Sequence, residues 1–391
     1  MRNVKRVLVI APQCHTFVKG LADATANYVS NITVLVYHNY LSEFATHLPF
    51  SYFRHVEKFS KENLVCLKGK PENVEVNIVS MLYLIPDGRN TGLSDKIFKK
   101  FDKYIKNNKQ EFDLIHAHFT WPSGYVGVKL AKEYNVPVVI TIHENREWFL
   151  KEYHSKNEKI YWTWRNADAL IRVNKIDVPL LTEFNSIVCP IPNGFDPNKF
   201  KVIDRKEARA HLGLLENKKI IFSLGNLIER KGFQYLIEAM EKDIIDRANV
   251  LCFIGGSGPF KKELQTQIGD LRLRDYVKLL GFVSDEKLVY WMNAADLFVL
   301  PSLSEGNPTV MFEALGCGKP FIGTRVGGVP EIILNDMLGI IVEPGDPEGL
   351  ARAIRRALET EWDGEYIREY AGQFTWDNIA KETVKIYEKV L

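Results

Sequence analysis

The chain has 391 residues, 46% of them hydrophobic and 26% charged, which is long enough for two domains and lacks the bias of a disordered protein. Five scattered cysteines without a C-x-x-C pair argue against a disulfide framework and a zinc site, and favour a reducing, cytoplasmic compartment. The net charge of +2 divides into +6 for residues 1–192 and −4 for the remainder, a difference compatible with an anionic partner for the first half and equally with chance.

Short apolar runs rich in β-branched residues recur through the first half of the chain. In order they are RVLVI, ITVLVY, VEVNIVS, DLIHAH, PVVITI and DALIRV, separated by stretches with a helical period. Because these runs are continuous rather than alternating, they predict strands buried on both faces, as in a parallel sheet covered by helices. The first run is too short for a signal peptide, and no stretch approaches the length of a membrane span.

One predicted helix of the first half, at residues 94–109, is strongly amphipathic. Its apolar side carries Ile97, Phe98, Phe101 and Ile105, and six lysines lie largely on the other side. Two interpretations remain open. The helix either makes a peripheral contact with anionic lipid at the inner face of the membrane, or is the solvated outer face of a domain, which we favour.

A proline-rich stretch, CPIPNGFDPNKF at residues 189–200, separates the two halves and is typical of an interdomain turn. The runs KIIFSLG, NVLCFIG, YVKLLG, DLFVLP, PFIGT and GIIV then repeat the alternation, and the final segment predicts an amphipathic helix with Thr375 as its N-cap. The sequence therefore predicts an α/β protein with two Rossmann-like domains, residues 1–192 and 193–374, that face an interdomain cleft where a ligand binds.

The segment SEGNPTVMFEALGCGKP contains two glutamates, Glu305 and Glu313, that stand eight residues apart. Asn307 is a favourable N-cap, Pro308 a favourable first helical residue, and Gly316 a favourable end of the helix. Glu305 is therefore expected before the helix and Glu313 within it. The helix N-terminus between them, with its free N–H groups, favours an anion.

Three interpretations of these glutamates remain open from their spacing. In the first they bind the two ends of a sugar nucleotide, in the second they form the acid/base pair of a hydrolase, and in the third they are ordinary surface charges. A nucleotide-binding P-loop is excluded, because Pro320 occupies the position of the Ser or Thr that binds magnesium.

Other strand ends of the second half also favour a phosphate. SLGNLIERKG places Arg230 and Lys231 side by side after a strand, and both side chains are suited to bind phosphate. IGGSGPF ends another strand in glycines, where backbone can approach a ligand, but it lacks the third glycine of the dinucleotide fingerprint. Phe282 and Val283 follow a further strand and would either form a wall beside a base or pack in the core.

The order of these segments resembles the retaining glycosyltransferases of family four, which have the GT-B fold. The segments are GNLIERKGFQYLIEA, GGSGPFKKEL, GFVSDEKLVYWMNAADLFVLPSLSEGNPTVMFEALGCGKPFIGTRVGGVPEII and GDPEGLARAI, together with DLIHAHFTWPSG, VPVVITIH, ADALIRVNK and IPNGFDPNKF in the first half and at the hinge. The resemblance covers nearly the whole chain and is weaker in residues 11–110. It implies that residues 1–192 bind the acceptor, that 193–374 bind the donor, and that the helix 375–391 crosses back to pack on the first domain.

For the donor, the resemblance implies that Glu313 holds the ribose hydroxyls, that Glu305 contacts the transferred sugar and that Lys231 neutralises the diphosphate. Asn226 stands where the family often has an arginine, so Arg230 is expected to supply that charge. The implied donor-binding positions are Gly225, Asn226, Arg230, Phe282, Val283, Gly306, Asn307, Pro308, Thr309 and Glu313.

For the first domain, the resemblance places His118 over the donor sugar near the transfer centre, so that His118, Glu305 and Lys231 are the implied catalytic residues. We expect His116 to point the other way on its strand and to be buried. The glycine pair that usually follows the first strand is absent, which makes the acceptor loop unusual. Candidate acceptor contacts are His15, Gly20, His143 and Glu144.

The expected reaction transfers a sugar from a nucleotide diphosphate to a hydroxyl of a glycan, lipid-linked or small-molecule acceptor, with retention of configuration, as in glycan biosynthesis. We expect no cofactor and no metal, because no D-x-D occurs in the chain, and we favour a UDP-sugar over a GDP- or ADP-sugar. No nucleic-acid partner is expected, and the oligomeric state stays open. The alternative is a sugar-nucleotide epimerase of the same layout. A non-catalytic sensor is disfavoured by the intact E-x7-E motif, which Glu305 and Glu313 form, and by Lys231.

Overall fold

The structure is a computed structural model that describes residues 5–46, 59–83, 91–242, 245–246 and 248–391. The chain forms two compact units. The first comprises Met1–Glu144, Trp148–Gly194 and Trp376–Leu391, and the second comprises Asn145–Glu147 and Phe195–Thr375.

The first unit is built on a seven-stranded sheet in which every pair of neighbours is parallel. Its spatial order is β3-β2-β1-β4-β5-β6-β7. All six predicted strands are present, and β7 is additional because a three-residue strand in a proline-rich stretch carries too weak a pattern. The strands are β1 (Arg6–Ala11), β2 (Asn31–Asn39), β3 (Val74–Met81), β4 (Leu114–His118), β5 (Val138–Ile142), β6 (Ala169–Arg172) and β7 (Val188–Pro190).

Helices cover both faces of this sheet. Alternate strand residues enter two different cores, with Leu8 and Ile10 in one and Val7 and Val9 in the other, as the two-residue period of a strand requires. The helices up to residue 182 are α1 (Thr16–Thr25), α2 (Tyr40–Thr46), α3 (Lys61–Leu64), α4 (Thr91–Asn107), α5 (Tyr125–Tyr134), α6 (Arg146–Tyr153), α7 (Glu158–Asn166) and α8 (Val178–Thr182), and α6 begins in the second unit.

The second unit repeats the plan with a six-stranded parallel sheet in the order β10-β9-β8-β11-β12-β13. All six predicted strands are present. They are β8 (Lys219–Leu224), β9 (Val250–Gly255), β10 (Val277–Gly281), β11 (Leu297–Leu300), β12 (Phe321–Thr324) and β13 (Gly339–Val342).

This sheet also separates two apolar cores. Phe222 and Phe298 enter one core, and their strand neighbours Ile221 and Val299 enter the other. The helices are α9 (Arg205–Leu212), α10 (Phe233–Glu241), α11 (Lys261–Asp270), α12 (Asp285–Ala294), α13 (Thr309–Gly316), α14 (Val329–Ile332), α15 (Pro347–Glu359) and α16 (Gly364–Ala371).

The last helix, α17 (Trp376–Val390), belongs to the first unit and begins directly after Thr375. Ile379, Thr383 and Tyr387 are buried, and the indole of Trp376 lies against Gly20 of α1, where a Cβ atom would come within 2.4 Å of the ring. In the part of the chain that the structure describes, none of the helices has the length and apolar character needed to span a bilayer.

Each sheet has one position at which the strand order reverses, between β1 and β4 in the first unit and between β8 and β11 in the second. Ligands of open parallel α/β sheets bind outside the carboxyl ends of the strands at such reversals. The predicted site residues follow these strands: His15 comes after β1, His118 ends β4, Lys231 comes after β8 and Glu305 comes after β11. The fold thus divides the candidate residues between two strand-end regions, one in each unit.

Candidate active site

In the second unit, a buried ion cluster surrounds Glu305 in the loop after β11. The Glu305 side chain accepts hydrogen bonds from Lys231 Nζ at 2.5 Å and from Ser302 Oγ at 2.7 Å. The Arg230 guanidinium lies 3.6 Å from its other oxygen, Oε2. Burial alone would raise the pKa of Glu305, but the charges of Lys231 and Arg230 lower it overall. The structure therefore brings three of the predicted residues together around an ionised carboxylate.

A tight turn after β8 places the two cations. Glu229–Lys231 form a short helical turn that ends at Gly232, whose φ of 69° is accessible to glycine at little cost. A Cβ atom on Gly232 would lie 1.9 Å from the carbonyl oxygen of Pro301. Glycine at this position lets the β8 loop lie against the end of β11. The Arg230 guanidinium then donates to the carbonyl of Ser304, one residue before Glu305.

The glycines after β9 lie against the loop that follows β8. A Cβ atom on Gly256 would lie 1.8 Å from the carbonyl oxygen of Gly225, and one on Gly258 would lie 2.3 Å from that of Leu227. The backbone that approaches these glycines closely is therefore that of the β8 loop. The amide of Gly225 donates to the carbonyl of Gly255 at 3.1 Å, and Asn226 is exposed.

Helix α13 starts one residue later than predicted. It begins at Thr309, and Pro308 precedes it with an extended backbone (φ −73°, ψ 122°), so the expectation that Pro308 is the first helical residue after an Asn307 cap is wrong. Gly316 is the last residue of the helix, as predicted. Gly306, Asn307 and Pro308 are buried between the Glu305 loop and the helix.

Glu313 lies in the middle of α13 with a very different environment from Glu305. Its Oε2 atom is shielded from solvent and has no hydrogen-bond partner among the described residues. Burial raises the pKa of Glu313 to about 7, with a smaller lowering by Lys199 and a smaller raising by Asp285. The structure therefore contains a shielded carboxyl oxygen that is open to a hydrogen-bond donor and titrates near neutral pH.

Phe282 and Val283, the predicted wall of a base site, have opposite environments. Phe282 is 81% exposed, which excludes a core role, whereas Val283 packs against the core beside Gly255. Gly281 precedes them with a φ of 74° and ends β10. The exposed ring is therefore free of the core, and its contact with a base stays a prediction.

Sequence reasoning missed three residues that hold the Glu305 loop. Ser302 bonds the carboxylate, and the amide of Gly328 donates to the carbonyl of Gly306 at 2.7 Å. Gly327 has a φ of 51°, and a Cβ atom there would lie 2.2 Å from the carbonyl oxygen of Glu305. The two consecutive glycines of RVGGVP, directly after β12, are the signal that would have found this contact.

The loop of the second unit also receives the short segment Asn145–Glu147. The amide of Arg146 donates to the carbonyl of Glu305 at 3.1 Å. The amide of Glu147 donates to Ser304 Oγ at 3.2 Å. No sequence pattern of this segment indicated these contacts.

In the first unit, His118 ends β4 in a buried position. Its Nδ1 lies 2.9 Å from Nε2 of His143, at hydrogen-bond distance, and burial lowers the pKa of His118 to about 3. The ring is therefore neutral at physiological pH. His118 and His143, which were predicted separately, are thus brought together at the ends of two neighbouring strands.

The expectation that His116 points away from His118 is wrong. The two rings lie side by side with centroids 4.4 Å apart, because residues two apart on a strand share a face. The expected burial of His116 is confirmed, and its ring lies at hydrogen-bond distance from Tyr387 Oη (2.6 Å) and Thr141 Oγ1 (2.7 Å). His116 therefore links β4 to α17.

The candidate acceptor residues are only partly together. The rings of His143 and Phe17 have centroids 4.4 Å apart and are tilted by 32°, and Glu144, which is 6% exposed, accepts from the amide of Thr120 at 2.8 Å. Gly20 packs against the indole of Trp376. His15 precedes α1 at the end of the β1 loop, and burial lowers its pKa. An acceptor role for these four residues stays a prediction.

Across the described ranges, no group of three or more His, Cys, Asp or Glu side chains is arranged to bind a metal ion.

Comparison with known proteins decides the family. The model of the "Glycosyl transferases group 1" family matches residues 204–374, and that of "Glycosyltransferase Family 4" matches residues 63–199. An uncharacterized glycosyltransferase of Methanocaldococcus jannaschii is 32% identical over 296 residues, covering 71% of this chain and 75% of that protein. The chain belongs to the family 4 glycosyltransferases. The resemblance inferred from the motif order is thereby confirmed, and this glycosyltransferase is an enzyme.

Solved structures of this fold are similar over the whole length of the glycosyltransferase. Sucrose-phosphate synthase from Thermosynechococcus elongatus has a TM-score of 0.76 at 22% identity and covers 99% of both chains. The Anabaena protein HepE has a TM-score of 0.73 at 20% identity and covers 98% of this chain and 100% of its own. At these identities the likeness concerns the fold, and it confirms the predicted GT-B class with two Rossmann-like sheets.

Proposed function

We propose that this enzyme transfers a sugar from a UDP-sugar to an acceptor hydroxyl with retention of configuration and without a metal ion. The observation that carries the proposal is the convergence of Lys231 and Arg230 on the buried Glu305, at the strand reversal of the second unit. Two cations beside one carboxylate leave a net positive charge where a diphosphate would bind. The reaction class is proposed from the family, and the diphosphate donor is proposed from the charges of the site.

The donor would bind along the start of α13. Lys231 and Arg230 would stabilise the diphosphate as its negative charge grows during departure, an electrostatic role that needs no proton transfer. The shielded Oε2 of Glu313, which has no hydrogen-bond partner within the described ranges, would accept the ribose hydroxyls. Glu305, held by Ser302 and Lys231, would accept a hydroxyl of the transferred sugar.

In the transfer step, the bond between the anomeric carbon and the diphosphate oxygen breaks, and a bond from the acceptor oxygen to the same face of that carbon forms. The acceptor proton passes to an oxygen of the departing diphosphate. His118, neutral because of its burial, would contact the donor sugar by hydrogen bonding rather than as a charged acid. His143 holds its ring by the contact at Nδ1.

UDP is proposed as the nucleotide because of a solved structure of another protein with this fold. HepE, which shares the fold, has been solved in complex with UDP and with UDP-glucose. The acceptor is proposed only by class, as a hydroxyl of a glycan, a lipid-linked saccharide or a small molecule.

A hydrolase would use the two glutamates differently. The lowered pKa of Glu305 and the raised pKa of Glu313 are also what an acid/base pair of carboxyls shows. Family membership favours transfer over hydrolysis and over the epimerase alternative, and the pairing of Glu305 with Lys231 suits a binding role.

A membrane contact of α4 would be electrostatic. Ile97, Phe101 and Ile105 are buried in the first core, so the apolar side of the helix is not available to enter a bilayer. The face left outward carries exposed lysines, and we propose a solvated surface in the cytoplasm that has at most a peripheral attraction to anionic lipid.

The proposed reaction is tested by incubating the enzyme with UDP-sugars and candidate acceptors in excess EDTA and determining the anomeric configuration of the product by NMR. We expect a retained configuration at an unchanged rate. An inverted product, or activity that EDTA abolishes and Mn²⁺ restores, would contradict the proposal. Release of free sugar without a glycoside product would instead identify a hydrolase.

A further inference from the structure

The turn that follows His118 is held in an unfavourable backbone conformation. Phe119 has φ 73° and ψ 149°, a region that is occupied almost only by glycine. Both of its backbone polar groups are hydrogen-bonded. The amide donates to the carbonyl of Thr141 at 2.8 Å, and the carbonyl accepts from the amide of Gly124 at 3.0 Å. Strain of this kind persists only where the surrounding structure fixes it, and here it lies next to a predicted catalytic residue.

The residue that anchors the turn is Thr120, which is fully buried. Its amide donates to Glu144 Oε1 at 2.8 Å, and its hydroxyl accepts from the indole of Trp164 at 3.1 Å. The same hydroxyl lies beside the carboxyl of Glu152 on α6 and lowers the pKa of that group. Glu144 and Glu152, which come from different segments, therefore both interact with Thr120.

These two carboxyls are buried more deeply than ordinary glutamates. Glu144 is 6% exposed and Glu152 is 7% exposed, and the Oε2 atom of each is shielded from solvent without a hydrogen-bond partner among the described residues. Burial raises the pKa of Glu144, and burial together with the charge of Glu144 raises the pKa of Glu152 well above its ordinary value. Two ionised carboxylates are strongly disfavoured in such a place.

The positive charge of Arg172 does not compensate negative charges on both Glu144 and Glu152. Arg172 is fully buried, and its Nε and Nη2 donate to Asp177 at 3.1 and 2.7 Å, so one carboxylate already neutralises it. Its Nη1 donates to the carbonyls of Ile142 and Glu144, both at 2.8 Å. The other titratable side chains at these strand ends, His118 and His143, are neutral.

We propose that Glu144 and Glu152 share one proton at neutral pH and act together as positioning residues for His118, by fixing the strained turn at Phe119 and Thr120. With one proton the pair carries a single negative charge, which the Thr120 amide stabilises by its hydrogen bond to Glu144. The protonated carboxyl has an O–H to donate, and the ionised one accepts from Thr120. The effect on catalysis rests on the proposed function, since it requires that His118 contacts the donor sugar.

The shared proton is tested by thermal unfolding of wild type and Glu152→Gln at pH 5 and pH 8. Because the pKa values in the folded state are raised, the stability contributed by protonation is fully present below the ordinary glutamate pKa and is lost as pH rises through the folded values. Glutamine keeps the shape and the hydrogen-bonding groups without a proton to lose. We therefore expect Glu152→Gln to melt above wild type at pH 8, with a gap that shrinks towards pH 5.

Glu133→Gln, on the exposed side of α5, is the matched control and should show no gap that depends on pH. If Glu152→Gln shifts the melting temperature equally at the two pH values, or not at all, the pair does not hold a shared proton and the proposal is wrong.

The positioning role is tested in the transfer reaction and by NMR of ring-labelled histidine. We expect Glu152→Ala to lower kcat by about tenfold to a hundredfold with UDP affinity unchanged, because a small displacement of a catalytic group has effects of that size. In contrast to Glu152→Ala, Glu152→Gln should have a kcat close to that of wild type. Its plot of kcat against pH should be flatter than that of wild type on the alkaline side. The His118 signal, assigned with His118→Gln, should move in Glu152→Ala and stay in place in Glu152→Gln.

These measurements separate two kinds of failure. If no UDP-sugar is transferred by any variant, the proposed function fails, and the melting curves and the His118 signal still test the pair. If Glu152→Ala does not fold, Glu152→Gln carries the test alone. An unmoved His118 signal in a folded Glu152→Ala, or equal loss of kcat in the glutamine and alanine variants, would overturn the positioning role.

Discussion

At the scale of single residues, the carboxyl groups of Glu305 and Glu313 lie in two different electrostatic environments. Glu305 is buried beside Lys231 and Arg230, so its negative charge is compensated and its pKa is lowered. The Oε2 atom of Glu313 has no hydrogen-bond partner in the part of the chain that the structure describes, and burial raises the pKa of this side chain to about 7. The same side chain is thus ionised at neutral pH at one end of the E-x7-E motif and titrates near neutral pH at the other, which predicts a pH dependence for donor binding.

The affinity for a UDP-sugar should rise with pH between 6 and 8. If only ionised Glu313 accepts the ribose hydroxyls, protonation at pH 6 weakens binding by about tenfold relative to pH 8. Calorimetric titration with a UDP-sugar measures this, since UDP itself carries a terminal phosphate that titrates near pH 6.

Two variants test that assignment. Glu313→Gln should bind more weakly and lose the pH dependence, whereas Glu305→Ala should keep it and bind bare UDP nearly as wild type does. Loss of the dependence in Glu305→Ala, or its survival in Glu313→Gln, would show that a different group titrates.

His118→Ala should lower turnover while donor-nucleotide affinity stays nearly intact, because His118 belongs to the first unit and the nucleotide-binding candidates belong to the second. Titration with UDP and a transfer assay on the same preparations provide the measurement. A large loss of UDP affinity with normal turnover would place His118 in a different role.

At the scale of elements, the strand-end loops of the second unit hold one another through glycine contacts. Gly232 lies against Pro301, Gly256 against Gly225, and Gly327 against Glu305, each at a separation that leaves no room for a Cβ atom. Side chains at these positions would push the loops apart. The geometry of the ion cluster therefore depends on residues that carry no charge.

Gly327→Ala should destabilise the second unit and weaken UDP-sugar binding. An alanine at φ 51° costs about 1–2 kcal/mol, and its Cβ would lie 2.2 Å from the Glu305 carbonyl oxygen, which displaces that loop. Gly345→Ala is the matched control, since its φ is 76° but its nearest neighbour would lie at 3.8 Å. We expect the control to lose stability without losing affinity. Equal affinities for the two variants would mean that the contact does not shape the site.

At the scale of the whole molecule, the two ends of the chain belong to one unit. Helix α17 lies on the face of the first sheet opposite α4, and Tyr387 reaches the buried His116 at 2.6 Å. Trp376, at the start of the same helix, packs on Gly20. The first unit is therefore complete only when the last sixteen residues, Trp376–Leu391, are in place.

Tyr387→Phe should lower the free energy of unfolding by about 1–3 kcal/mol, because it leaves His116 with an unpaired ring nitrogen in a buried position. Tyr28→Phe is the control: it removes an exposed hydrogen bond of 2.6 Å to Asp377 of the same helix and should change stability by less than about 0.5 kcal/mol. Denaturant titration measures both. UDP affinity should be unchanged in each, and a loss in Tyr387→Phe would mean that α17 also serves the donor site.

Much of the fold could be predicted from the sequence because its signals are local. Twelve strands appear as continuous apolar runs, and the runs are specific because parallel strands buried on both faces exclude polar residues. The E-x7-E segment and the order of motifs were sufficient to predict the family. The short strand β7 was not predicted, because three residues in a proline-rich stretch carry no periodicity.

The site was less predictable because its geometry depends on contacts that are distant along the chain. Lys231 and Glu305 are 74 residues apart, and their separate motifs indicated phosphate and sugar binding without indicating that they pair. The sequence also carried no sign that the glycines after β9 pack against the backbone of the β8 loop. Glu152 stands in an ordinary helix, with no sequence signal for its burial against Thr120.

The sequence by itself determined the family, the two parallel sheets and the residue types available at each strand end, because each of these is set by neighbours along the chain. Only the tertiary structure decided which carboxyl is compensated and which is isolated. Charge, burial and strain depend on what lies within a few ångströms in space, and the residues that surround Glu305, Glu313, Glu144 and Glu152 come from segments that no local pattern connects.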